Sequence, residues 1–188
     1  MKKEIKLYST LFILAISALI LSGCGAEKNM KKGEKYLAVG EYYDAATQFK
    51  RAYQRTAPKE REKRGKIALK VAFCNERINS TQKALAAYSN AIRYNQASTQ
   101  DRLSYARLLL KNGAYKQAET EFRTVLDSMP DNVLAKNGLA SAENAPQWKK
   151  DGSRYQVKRM DVFNSRRDDY SPVLGGDQYD YLYFTSTR

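Results

Sequence analysis

The chain has 188 residues, 33 Lys and Arg against 20 Asp and Glu, two Cys and no His, for a formal net charge of +13. With 43% hydrophobic residues, it has the balance of a globular chain of one modest domain or slightly more. The absence of His excludes Ser-His-Asp and Cys-His catalysis and His-ligated metals, and two Cys cannot build a Cys-rich zinc site. No metal, cofactor or enzymatic activity is therefore expected. The positive charge is spread along the middle: residues 24–146 hold 22 basic and 13 acidic side chains, and residues 147–188 hold 8 and 6.

At the N-terminus Lys2, Lys3 and Lys6 precede an apolar run from Leu11 to Leu21. That run is too short to span about 30 Å of hydrocarbon comfortably and reads as the core of a signal peptide. It ends in Leu21-Ser22-Gly23-Cys24, which resembles the bacterial lipobox. The resemblance implies cleavage before Cys24, leaving 1–23 as signal peptide and a diacylglycerol on the Cys24 thiol. Two or three acyl chains anchor a protein stably where one does not. Gly25 in place of Asp implies passage to the outer membrane, and the lack of an acidic export signal after Cys24 favours the periplasmic face. Cys74 is then without a partner in the mature chain and reads as a packing residue in a helical stretch.

Between about 27 and 143 the pattern is helical and periodic. Ala45-x3-Phe49-x2-Ala52, Ala84-x3-Tyr88-x2-Ala91 and Ala118-x3-Phe122-x2-Val125 repeat one arrangement, with 39 and then 34 residues between the leading alanines. Each small residue suits a close helix crossing, and the aromatic four positions on lies on the same face one turn later. Gly40, Asn79 and Gly113 stand where a tight turn needs a left-handed backbone, and Pro130 stops the last of these helices. The five extra residues before the second unit include Pro58 and the basic run 59–64, which predicts a longer loop or an extended helix start.

These motifs resemble the tetratricopeptide repeat, a 34-residue helix-turn-helix that stacks into a solenoid. The expected fold is all-α: a domain over 24–146 with repeats at about 26–59, 65–98 and 99–132. A capping helix over 133–143 follows, with Asp131-Asn132 at its start. The resemblance implies protein binding on the concave face of the first helices. The family's groove positions fall on Glu34 and Leu37, then Lys66, Phe73, Glu76 and Arg77, then Leu103, Arg107 and Lys111. That set suits an acidic peptide or an acidic partner surface. It does not reproduce the carboxylate clamp of chaperone-binding repeats, because Glu34 and Leu37 stand at clamp positions.

After a polar linker over 147–154 the composition turns β-prone, first from Tyr155 to about Phe163. Asp168–Val173 and Tyr181–Arg188 then flank a Gly175-Gly176-Asp177 turn and predict a hairpin. Ser171-Pro172, the Gly/Asp turn and Leu182-Tyr183-Phe184-Thr185-Ser186 resemble a blade motif of TolB-type (WD40-like, PD40) β-propellers. Residues 155–188 would be an incomplete first blade, so the sequence reads as part of a longer protein.

Lipobox, repeats and propeller motif, in that order, resemble the N-terminal part of OmpA-family outer-membrane lipoproteins, including PorE-like members tied to type IX secretion. The resemblance implies a non-catalytic, lipid-anchored scaffold for envelope or secretion proteins. Peptidoglycan would be reached only through a further domain, and export makes a nucleic-acid partner improbable. Two rival readings are an accessory lipoprotein of β-barrel assembly (BamD-like) and a ligand-capturing surface lipoprotein.

Overall fold

The computed structural model describes residues 25–153, 155–156 and 158–187. The expected signal peptide and Cys24 lie outside the described residues. The chain divides into two compact units between Lys150 and Asp151.

Among the described residues the first unit is a solenoid of seven helices: α1 over 25–38, α2 (Tyr42–Arg55), α3 (Arg61–Arg77), α4 (Thr81–Arg93), α5 (Thr99–Lys111), α6 (Tyr115–Ser128) and α7 (Val133–Asp151). They alternate in direction as antiparallel hairpins, the tetratricopeptide arrangement expected from the repeat. The three intra-hairpin turns are built alike. The N–H of Gly40 donates to Leu37 and that of Glu41 to Tyr36; Asn79 and Ser80 do the same to Glu76 and Asn75, and Gly113 and Ala114 to Leu110 and Leu109. This Schellman pairing satisfies the last carbonyls of each helix and requires a left-handed residue after it. Gly40, Asn79 and Gly113 have φ of 78°, 58° and 79°. Asn95 closes α4 in the same way at φ 56°, a fourth such turn that the repeat pattern did not reveal.

Small residues set the helix spacing, and the repeat aromatics fill the space they leave. Phe49 and Phe122 are fully buried, each against a glycine that has no room for a side chain. A Cβ at Gly33 would sit 2.5 Å from the Phe49 ring, and one at Gly138 would sit 2.3 Å from the Phe122 ring. The core is a row of clusters, not one mass. Phe49 with Ile67 and Cys74 forms the first, Tyr88 with Ala72 and Leu108 the second, and Phe122 with Leu103, Val125 and Ala135 the third. Cys74 is a buried packing residue, and burial pushes its thiol up to about 11.

The insertion before the second repeat forms a short loop and lengthens the start of α3, which has 17 residues against 13 in α5. Ser98 and Asp101 form a capping box on α5, and Asn132 Oδ1 accepts the Ala135 N–H at 2.9 Å to cap α7. The last helix departs from expectation. It runs to Asp151 instead of ending at 143, with Pro146 inside it, so most of the expected 147–154 linker is helical. Pro146 removes one backbone donor, yet the turns on either side hold the helix through this one missing bond.

In the second unit β1 (Asp169–Gly175) pairs antiparallel with β2 (Tyr181–Ser186), Val173 opposite Tyr183 and Leu174 opposite Leu182. The register shifts between Tyr170 and Val173, where Ser171 takes φ 56° and Pro172 offers no N–H. The strand expected from 155 is not found among the described residues. Instead, residues 161–163 form a turn, closed by the Phe163 N–H on the Met160 carbonyl at 3.0 Å. The segment lacks the alternation that would give a strand one apolar face. Phe163 instead packs edge-on to Phe184, ring centroids 6.3 Å apart.

Candidate partner-binding face

Along α3 the positions 66, 70, 73 and 77 recur at three- and four-residue spacing and so share a face. Phe73 is 44% exposed. Its ring meets Tyr42 edge-on at 6.1 Å, and the Arg77 guanidinium lies 5.4 Å from the centre of the same Tyr42 ring. Tyr42 opens α2, so this cluster joins two hairpins. Arg107 and Lys111 are exposed on α5, and Lys111 Nζ donates to Asn79 Oδ1 in the α3–α4 turn. Among the described residues no carboxylate stands within ion-pair distance of Arg77, Arg107 or Lys111. Phe73, Arg77, Arg107 and Lys111 thus remain available to a ligand.

Five other expected groove residues are used differently. Lys66 Nζ is held by Glu62 at 2.5 Å, one turn earlier on α3, and Lys70 takes Glu34 of α1 at 2.7 Å. The Glu76 carboxylate accepts the Tyr88 hydroxyl at 2.7 Å, and burial together with that carboxylate raises the Tyr88 phenol well above its ordinary value. Leu103 corrects the expectation outright: at 1% exposure it lies in the third core cluster, not on a binding face. The α5 start turns that side chain into the α5–α6 interface, where a leucine gains more than it would in water. Leu37 likewise packs against the first core cluster.

Two features escaped the sequence reading. One is an arginine–tyrosine cluster where α2 and α4 end and α3 begins. The Arg64 guanidinium stacks 4.0 Å above the Tyr53 ring, donates to the Thr56 carbonyl at 2.7 Å and reaches the Tyr94 hydroxyl at 3.3 Å. Arg61 and Arg93 lie 5.6 and 5.3 Å from the Tyr94 ring centre. Hydrogen bonds from Tyr53 and Arg64, with the charges of Arg64 and Arg93, pull the Tyr94 phenol down to about 8. The basic run 59–64 was the available signal, but only the fold brings Arg93 and the two tyrosines to it. The other feature is an open groove of about 570 Å³ between α2 and α4, floored by Ala68, Val71 and Asn75 of α3. Its rim carries Lys50, Arg51 and Lys83.

Among the described residues no group of His, Cys, Asp and Glu is placed to hold a metal ion. No described helix is long and apolar enough to cross a membrane.

Comparison with known proteins gives the same architecture. A tetratricopeptide-repeat family model matches residues 79–142, from the turn of the second hairpin into the last helix. The rat protein DnaJ homolog subfamily C member 3 is 27% identical over 169 residues, 87% of this chain. The match spans only 31% of that relative's length. A C-terminal repeat domain of a Plasmodium falciparum FK506-binding protein superposes with a TM-score of 0.57 at 14% identity, covering 70% of this chain and 94% of that domain. The first repeat domain of Spaghetti (RPAP3), solved with the HSP90 peptide SRMEEVD, gives 0.53 at 19% identity, covering 66% and 95%. At these identities the likeness is one of fold.

Proposed function

We propose that the chain is a non-catalytic scaffold that docks protein partners on the exposed face of α3 and α5. It is held by a lipidated Cys24 on the periplasmic face of the outer membrane. The observation that carries this reading is the set Phe73, Arg77, Arg107 and Lys111, an exposed aromatic among cations that have no carboxylate partner among the described residues. Such a face suits an acidic peptide or an acidic surface, because guanidinium groups pair with carboxylates in bidentate fashion while the ring supplies buried area. The solved Spaghetti repeat holds a peptide ending in Glu-Glu-Val-Asp, which supports a protein ligand for this fold.

The envelope setting rests on the lipobox-like Leu21-Ser22-Gly23-Cys24 and on the order of parts. The C-terminal hairpin supports a propeller blade, and with it an OmpA-family assembly linked to peptidoglycan or type IX secretion. A photoreactive side chain at position 77 or 107, activated in intact cells, is expected to trap a discrete protein adduct. Adducts from position 83 on the opposite groove, with none from 77 or 107, would overturn the assignment of the face.

A further inference from the structure

The residues of α3 divide between two sides of that helix. At about 100° per residue, Ala68, Val71 and Asn75 face away from the stripe that carries Phe73 and Arg77. They floor the open groove between α2 and α4, which is therefore separate from the α3–α5 face. Ala46 and Ala87 line its walls, and Tyr43, in the first turn of α2, is exposed along it. Small and aliphatic side chains that lie open to water in this way gain by being covered.

The charges around this floor are of one sign, and they are unengaged. Lys83 stands in the first turn of α4, and Lys50 and Arg51 in the third turn of α2. Among the described residues none of the three has an ion-pair or hydrogen-bond partner. No described carboxylate lines the groove. Helix α4 has no acidic residue, and the one acid of α2, Asp44, is not part of the lining. On α3, Glu62 holds Lys66 and Glu76 takes the Tyr88 hydroxyl. The neutral polar groups of the groove are tied to their own helices. Thr47 Oγ1 donates to the Tyr43 carbonyl at 3.1 Å, Asn75 Nδ2 donates to the Val71 carbonyl at 2.8 Å, and Asn90 Oδ1 accepts from Arg93 at 2.6 Å. An extended peptide, which must hydrogen-bond its backbone, finds few partners on such walls. A helix satisfies its own backbone and asks only for an apolar stripe. The net charge of +13 disfavours a second copy of the chain as occupant.

We propose that the α2–α4 groove is a second docking site, whose occupant is an amphipathic helix of a partner protein, aliphatic along one stripe and acidic on both flanks. The aliphatic stripe lies on Ala46, Val71 and Ala87. Its carboxylates meet Lys83 on one wall and Lys50 and Arg51 on the other. Because the groove and the α3–α5 face use different sides of α3, one molecule can hold two segments at once. The groove does not depend on the reading of the other face.

The test uses the full chain, expressed with its own leader and purified, with a benzophenone side chain replacing Gln54, an exposed residue of the α2 wall. The probe is a synthetic peptide of about 15 residues, roughly four helical turns, built of Leu, Ala and Glu. Its leucines recur at helical spacing and its glutamates flank them. The expected result is a peptide adduct at 54 that a scrambled peptide of the same composition does not give. A peptide with Lys in place of every Glu should also give none. Lys50→Gln with Lys83→Gln should lower the yield at subsaturating peptide roughly two- to tenfold, the span of two exposed ion pairs. Arg51→Gln is the second variant should that pair fail to fold, with helical circular dichroism as the check. Arg77→Gln with Arg107→Gln should leave the yield at 54 unchanged. Equal adducts from ordered and scrambled peptides, or a yield indifferent to Lys50, Arg51 and Lys83, would overturn the proposal. An adduct at 54 joining two copies of the chain, in place of the peptide, would overturn it too. Peptide adducts from a benzophenone at 107 with none at 54 sink this inference and leave the α3–α5 face standing. The converse pattern sustains the groove and counts against that face.

Discussion

The helical unit and the C-terminal hairpin belong to one chain, yet they are stabilised by different means. In the repeats every hairpin places small residues at the helix crossings and one aromatic in the gap. Phe49, Tyr88 and Phe122 are each buried by neighbours close in sequence. In the hairpin unit no described residue is fully buried, and Tyr170, Val173, Tyr181 and Tyr183 are all exposed. A helix satisfies its own backbone and needs only one covered stripe, whereas two strands leave both faces and both outer edges open. Burial in the first unit is repeated and local; among the described residues of the second it is partial and falls on a few positions, the Phe163–Phe184 pair among them.

The sharpest way to break this contrast is to remove a repeat aromatic. Phe122→Ala empties a site enclosed by Gly138, Leu103 and Val125, and truncations of this kind lower stability by about 3–5 kcal/mol. Urea unfolding followed by circular dichroism at 222 nm should show a midpoint shift of that size. A loss below about 1 kcal/mol would mean that the third cluster rearranges freely, and that the local-burial account is wrong. Because the clusters form a row, the loss should fall first on α5, α6 and α7, as hydrogen exchange of their amides would report.

A smaller effect tests the turns. Asn79 holds φ 58° between α3 and α4, where Ala would adopt a left-handed conformation at a loss of about 1–2 kcal/mol. Asn79→Gly should be neutral or slightly stabilising, since Gly adopts that conformation freely. The side chain of Asn79 also accepts from Lys111, so Lys111→Met in the same background separates the two contributions. Should Asn79→Ala and Asn79→Gly unfold at the same urea concentration, the side-chain contact and not the backbone would be what the turn requires.

The hairpins were legible because each repeat carries its own instructions: Ala-x3-aromatic for the crossing, Gly or Asn for the turn, Pro130 for the stop. All of these act within a few residues of where they stand. The same reading failed where the outcome depends on partners far along the chain. Leu103 occupies a groove position by register, but its side chain is turned inward by the α5–α6 contact. Glu76 looks free until Tyr88, twelve residues on, donates to its carboxylate. The run 59–64 could be read as basic, but Arg64 reaches the Tyr94 hydroxyl across thirty residues. At the C-terminus, Pro146 signals a stop that the helix overrides, and the aromatic content of 155–163 suggests a strand for which alternation is lacking. Residue types announced local geometry well and shared surfaces poorly.

The least expected effect lies in the hairpin, where it sharpens the comparison from the other side. Phe184 is half-buried and its ring meets Phe163 edge-on with an interplanar angle of 75°. Such a pair contributes about 0.5–1.5 kcal/mol beyond its area, so Phe184→Ala should speed amide exchange at Val173 and Tyr183 by roughly three- to tenfold. Exposed Tyr181 stacks loosely on Tyr183 with ring centres 6.5 Å apart, and Tyr181→Ala should change those rates by less than Phe184→Ala does. The order of the two variants is the informative quantity, because one removes a half-buried ring and the other a solvent-facing ring. If Tyr181→Ala proved the more damaging, the exposed aromatic face would itself be holding the hairpin together. The second unit would then be stabilised by a surface that the repeats manage without.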